Sequence, residues 1–199
     1  MLASDRVRKD DYTFEDFLQL IGDGQKADLL DGVIYMASPD NTDANDLTTW
    51  LSTILRAFAE ARKLGKIYSL RVAYRIGKKQ GPEPDIGFVP KRLQALRRRG
   101  YIDCAPALAV EVVSPDSVAR DYVHKRAIYE KAGVREYWIL DPDRRRATFL
   151  VLHRGRYKEV EPVDYKIKST VLPGLVLDVR WLTDDVRPHP YQVLQALLG

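Results

Sequence analysis

A carboxylate inside an otherwise unbroken apolar run restricts the folding of this chain more than any other feature. Glu111 interrupts Ala107-Leu-Ala-Val-Glu-Val-Val113, which otherwise reads as a strand buried on both faces. Desolvating a lone carboxylate there is costly, so the fold must bring it a partner. Upstream, Pro84-Asp85-Ile-Gly-Phe-Val89 sets a second carboxylate at the start of another apolar strand, and downstream a polar helix carries Lys125. Two acids and a lysine from separate segments form a candidate metal-dependent hydrolytic site.

The surrounding chain can bury such a group. With 199 residues, 45% of them hydrophobic, it can build one sizeable core, and we expect a single domain over 1–199. Within it we expect an N-terminal helix and hairpin at 12–38, a core from about 44 to 152, and a C-terminal β extension and helix at 153–199. A formal charge of +4 permits contact with a polyanion without requiring it. Cys104 is the only cysteine, which excludes an intrachain disulfide and a cysteine-based zinc site. Met1 to Asp11 is polar, and no stretch approaches the roughly 20 apolar residues of a membrane span. These features set the expectation of a soluble, cytoplasmic protein with no membrane partner.

Local patterns supply the element order. Thr13 can cap a short helix with Phe14, Phe17, Leu18 and Ile21 on one face and Gly22 and Gly24 as its stop. Asp31-Gly32 between Ala27-Asp-Leu-Leu30 and Val33-Ile-Tyr-Met36 is a hairpin signal. Leu47, Trp50, Leu51, Ile54, Leu55 and Phe58 recur at helical spacing, with Gly65 as the stop. A half-exposed strand is expected from Ile67 to Ile76, pairing with the strand at Asp85. Lys91 to Arg99, with Lys91, Arg92, Arg97, Arg98 and Arg99, reads as a short surface helix able to contact phosphates. A helix from about Val118 to Lys131, closed by Gly133, separates the Glu111 strand from Glu136-Tyr-Trp-Ile-Leu140. A turn at Asp141-Pro-Asp-Arg leads to Ala147 to Leu152, followed by short β segments near Tyr157, Val171 and Val176 and a helix from Tyr191 to Leu198. This is an α/β order with a mixed central sheet flanked by helices and extra C-terminal strands.

Several of these pieces together resemble a known family. Pro84-Asp85, Glu111-Val-Val-Ser114-Pro115, Asp121, Lys125, Tyr129 and Gly133-Val-Arg-Glu-Tyr-Trp-Ile-Leu-Asp141-Pro142 look like the Uma2 family of restriction-endonuclease-like proteins, within the PD-(D/E)XK nuclease superfamily. Asp28-Leu-Leu-Asp31-Gly32 and Met36-Ala-Ser38-Pro39 also fit, so the likeness runs from about Ala27 to Val179. The resemblance implies a restriction-endonuclease-like core. It makes Asp85 and Glu111 metal-binding acids and the Val112 backbone carbonyl a further ligand, with Asp28 near a second ion. Val113 departs from the pattern, because it stands where most such nucleases place their lysine; the resemblance gives that charge to Lys125 on the following helix.

The implied chemistry is Mg²⁺-dependent hydrolysis of DNA, with Mn²⁺ as a substitute. The ion offsets phosphate charge and lowers the pKa of bound water, while the lysine orients water or stabilises developing charge. Asp121, one turn before Lys125, can position it. Cutting both strands favours a homodimer. Two other readings stay open on the residues alone: a nuclease-like domain that binds nucleic acid or protein without cutting, and a carboxylate-pair hydrolase such as a glycosidase.

Overall fold

The computed structural model describes residues 6–7, 11–21, 25–38 and 41–199. Gly22 and Gly24, read as a helix stop, and Pro39 lie outside the described residues. The N-terminal half runs β1 (Arg6–Val7), α1 (Phe14–Leu20), β2 (Ala27–Leu30), β3 (Val33–Met36), α2 (Thr42–Ala61), β4 (Gly65–Ser69), β5 (Ala73–Tyr74) and β6 (Ile86–Pro90). A 3-10 turn (Lys91–Leu96), β7 (Tyr101–Ile102) and β8 (Leu108–Val112) follow. A π-helical stretch (Arg120–Lys125) then runs straight into α3 (Arg126–Ala132). The chain closes with β9 (Glu136–Asp141), β10 (Arg146–His153), β11 (Arg156–Glu159), β12 (Lys166–Lys168), β13 (Val176–Asp178), α4 (Arg180–Thr183) and α5 (Pro190–Leu198).

The architecture is mixed α/β. Six strands form the central sheet in the order β11-β10-β9-β8-β6-β4. Within this sheet, among the described residues, β8 and β9 alone pair in parallel, because the π-helical stretch and α3 carry the chain back across the sheet between them. Strand alternation then divides the sheet residues between two cores. Leu108, Val110, Val112, Trp138 and Leu140 join the cluster under α2, which buries Leu47, Leu51, Ile54, Leu55 and Phe58. Ala109, Val113, Tyr137 and Ile139 join a second cluster containing Tyr129 of α3. Glu111 shares the parity of Ala109 and Val113, so it faces α3. At roughly 1.5–3 kcal/mol per fully buried large apolar side chain, these two clusters fix the sheet between its helices.

Local chemistry sets the ends of the elements. Thr13 caps α1 in a reciprocal capping box with Asp16. Asp31 and Gly32, at φ of 50° and 80°, form the tight turn of the β2–β3 hairpin. Asn41 caps α2, and Gly133 ends α3 in the left-handed conformation.

The structure departs from the sequence reading in four places. The single strand expected from Ile67 to Ile76 is two, because Leu70 and Arg71 adopt φ of 61° and 52° and turn the chain; β5 then pairs in parallel with β7, outside the central sheet. Gly65 does not stop α2, which ends at Ala61. Instead it opens β4, where a Cβ would meet the Val89 carbonyl oxygen at 2.2 Å. The helix expected from Val118 to Lys131 is π-helical in its first part. The β segment expected near Val171 lies upstream as β12, and Val171 itself is buried in the α2 core. Among the described residues, no helix is long and apolar enough to cross a membrane.

Candidate active site

The sheet register brings the two acids together. β6 and β8 are antiparallel with Ile86 opposite Val110, and one further step in that register sets Asp85 opposite Glu111. Asp85 accepts the Val112 N–H at 2.7 Å through Oδ2, and its Oδ1 is ion-paired with Lys26. Glu111, 2% exposed, accepts the Tyr129 hydroxyl at 2.9 Å through Oε1 and meets Lys125 Nζ at 2.9 Å through Oε2. Lys125 is likewise 2% exposed and also contacts Asp28 Oδ2 at 3.0 Å and Asp121 Oδ1 at 3.6 Å. Asp28, Asp85, Glu111, Asp121 and Lys125 are therefore one buried cluster, set around a small cavity of about 20 Å³.

Each contact follows from where its element lies. Val113 takes the strand position expected of a lysine and packs with Tyr129 and Val134 in the apolar cluster, so no cation reaches Glu111 from its own strand. The helix supplies it. Lys125 and Tyr129 are four residues apart and share a helical face, which directs both at Glu111. The π-helical stretch ends at Lys125, and such widened turns are frequent at functional sites. Asp121 is tied by its side chain to Ser117, and its backbone carbonyl accepts the Tyr137 hydroxyl at 2.9 Å.

Three members of the cluster escaped the sequence reading. Lys26, just before β2, shares strand parity with Asp28, a signal that two polar residues two apart at a buried strand could have given. Arg120 Nε lies 3.6 Å from Asp28 Oδ2. Glu83, two residues before Asp85, is buried and accepts the Ala27 N–H at 3.3 Å, while its own N–H donates to Asp28 at 2.8 Å. The cationic segment from Lys91 to Arg99 is not brought to this cluster. It begins at the opposite end of β6 from Asp85, six residues along at about 3.3 Å each, or about 20 Å away.

Electrostatics give the cluster its character. Five acids (Asp28, Glu83, Asp85, Glu111, Asp121) face three cations (Lys26, Arg120, Lys125), a formal excess of two negative charges. Burial pushes Glu111 up to about 8; Lys125 opposes this, while Asp121, Asp85 and Asp28 add to it. Burial, with Asp28 beside it, pushes Glu83 up to about 7. Burial also raises Asp121, against the pull of Lys125 and Ser117. Asp28 goes the other way, because Lys125, Arg120 and Lys26 together outweigh its burial. Burial works against the charge of both lysines, but the carboxylates around them prevail and hold both ammonium groups charged.

The donor set suits a hard cation. Mg²⁺ takes oxygen ligands and needs only one or two protein carboxylates beside water and phosphate oxygens, which Asp85, Glu111 and the Val112 carbonyl can supply. The surplus of carboxylates over cations agrees with such a ligand, and Asp121 Oδ1, 3.6 Å from Lys125 Nζ, accepts no hydrogen bond. Among the described residues, no three acidic, histidine or cysteine side chains already converge as a metal cage. Lysines fill the space between the acids instead.

Comparison with known proteins places this geometry. A search of curated proteins gave no significant match. Among solved structures, the chain is similar to the crystal structure of "a putative nuclease belonging to DUF820 from Anabaena variabilis ATCC 29413", with a TM-score of 0.66 and 15% identity over 93% of this chain and 98% of that one. At that identity the likeness bears on the fold alone. The family with the description "Putative restriction endonuclease" matches residues 14–180, a span that contains β2, β6, β8 and the π-helical stretch that build the cluster. This chain belongs to the Uma2 family.

Proposed function

We propose that the chain is a Mg²⁺-dependent DNA endonuclease that hydrolyses phosphodiester bonds, with Mn²⁺ able to replace Mg²⁺. The observation that carries the proposal is the buried Lys125, whose ammonium joins Glu111 and Asp28 beside Asp85 at the end of the β6–β8 pair. Asp85, Glu111 and the Val112 carbonyl would hold the ion, and Asp28 would serve a second one. When bound, the ion supplies charge to offset the phosphate and lowers the pKa of a bound water. The remaining roles belong to the chain. Because the surrounding carboxylates hold Lys125 charged, it acts as a fixed positive charge that orients water and stabilises charge on the phosphate, rather than as a base. Tyr129 fixes one oxygen of Glu111 so that the other stays aimed at Lys125. Asp121, pinned by Ser117 and Tyr137, positions Lys125 as the chain of contacts requires.

The substrate is DNA in this reading, cut on both strands by a homodimer in the cytoplasm. Lys91, Arg92, Arg97, Arg98 and Arg99 would bind phosphates remote from the cut, and their contribution would weaken as salt rises. The test is incubation of the purified protein with supercoiled plasmid and Mg²⁺ or Mn²⁺ beside Lys125→Ala, with circular dichroism to verify that the variant folds. Nicking by the parent and not by a folded variant supports the proposal. DNA binding without any nicking, unchanged by Asp85→Ala and Glu111→Ala, would instead favour a binding domain.

A further inference from the structure

The cation nearest the mouth of the cluster is Lys26, not Lys125. Its side chain is 19% exposed against 2% for Lys125, and its ammonium is paired with Asp85 Oδ1, the acid oxygen that the Val112 N–H leaves free. With Lys125 and Tyr129 on Glu111, all four carboxylate oxygens of the Asp85–Glu111 pair are engaged. A cation that approaches Asp85 Oδ1 therefore meets the like charge of the Lys26 ammonium at the same oxygen.

The side chain is built to leave. Lys26 is anchored through its backbone, whose carbonyl accepts the Ala37 N–H at 2.9 Å, so the four-carbon stem can swing while the hairpin stays in place. A lysine ammonium is a compact, strongly hydrated charge that returns to water readily, unlike the guanidinium of Arg120. Lys125 lacks this freedom, being enclosed by three carboxylates.

We propose that the Lys26 ammonium holds the place of the divalent cation on Asp85, so that metal binding is an exchange in which the ion displaces Lys26 from Asp85 Oδ1. The inference rests on the metal-dependent reading above and extends it: Lys26 sets the threshold of metal concentration at which the site fills. Once displaced, it lies at the cavity mouth as a free cation on the side from which a phosphate must approach.

The test is direct binding of Mn²⁺ to the protein without DNA, followed by electron paramagnetic resonance of the free ion, for the parent and Lys26→Met. Loss of the competing ion pair should make Lys26→Met bind roughly tenfold more tightly, the factor that corresponds to one charge-assisted hydrogen bond. Equal or weaker binding by the variant overturns the exchange while leaving the metal site intact. No binding to either protein overturns the exchange together with the metal-dependent reading. A second measurement uses the parent alone, in case the variant misfolds. Acetylation of Lys26 by an N-hydroxysuccinimide ester, followed by mass spectrometry, should rise several-fold on adding Mg²⁺, while that of Lys79, paired with Asp11 outside the cluster, should not change. Unchanged labelling of Lys26 overturns the exchange.

Discussion

Replacing Lys125 by methionine keeps an unbranched stem of similar bulk and deletes the ammonium, which isolates what that charge does for the fold. The parent ammonium lies 2.9 Å from Glu111 and 3.0 Å from Asp28, with Asp121 at 3.6 Å, all buried. Breaking a buried ion pair from one side costs about 3–5 kcal/mol, because the remaining charge stays desolvated without its partner. Glu111 is already pushed up to about 8 and takes a proton readily at neutral pH, so most of the cost falls on Asp28, which loses its strongest counter-charge. In the variant the freed carboxylate has a folded pKa above its unfolded value. The folded state then binds more protons than the unfolded state, and the variant gains stability as pH falls. A carboxylate that stays protonated in the fold while the unfolded chain ionises contributes at most about 1.36 kcal/mol per pH unit. We therefore expect Lys125→Met to lose about 3–5 kcal/mol at pH 7, and the deficit to shrink as pH falls from 7 to 5. Urea unfolding followed by tryptophan fluorescence, to which the buried Trp50 and Trp138 contribute, measures both. Adding Glu111→Gln to the variant should cost far less than adding it to the parent, since the residues are in contact and their effects do not add. A deficit below about 1 kcal/mol that is also independent of pH would refute Lys125 as the buried counter-charge.

Three further perturbations probe other parts of the structure. Glu83, pushed up to about 7, binds its proton more tightly folded than unfolded; stability is present below the usual glutamate range and lost as pH rises through about 7, and Glu83→Gln in EDTA should flatten that decline in urea midpoints. Asp178 accepts Arg180 and Lys166, which hold its carboxyl well below the usual range, so its contribution is present above about pH 4 and lost on acidification; Asp178→Asn should lower thermal stability at pH 7, with the gap to the parent closing in acid. Gly87→Ala puts a methyl 2.2 Å from the buried Tyr74 hydroxyl two residues past Asp85, and should cost about 1–3 kcal/mol in chemical denaturation.

The elements that the sequence disclosed are those whose signals are local. The Asp31-Gly32 turn, the Thr13 cap and the apolar face of α2 are each set by a few neighbouring residues, and all three formed as read. Glu111 was legible for a different reason. A charge in an apolar strand demands a partner wherever the chain finds one, and the displacement of the cation from Val113 to Lys125 narrowed the search to one helix. What stayed hidden depends on tertiary geometry. Lys26 looks like any surface lysine until the β2–β3 hairpin packs beside Asp85. The π-helical turn carries no composition of its own, since its benefit lies in where it puts Lys125. The break at Leu70 and Arg71 places two ordinary residues in a conformation that propensity disfavours and only the surrounding packing can impose. The charge run at Lys91 to Arg99 read clearly as a surface segment, yet its distance from the acids was set by the length of β6 rather than by its own composition.

The central claim is that Asp85, Glu111 and Lys125 form one metal-dependent site that cuts DNA, and its most direct measurement is the single-turnover rate of plasmid nicking against Mg²⁺ concentration for the parent and for Asp85→Asn. The account predicts cleavage by the parent that saturates with Mg²⁺ and stops in EDTA, and a rate lowered by roughly 100-fold or more in a folded Asp85→Asn, the scale of losing one preorganised charge at a reacting centre. Nicking that persists in EDTA, or that Asp85→Asn leaves unchanged, would contradict it.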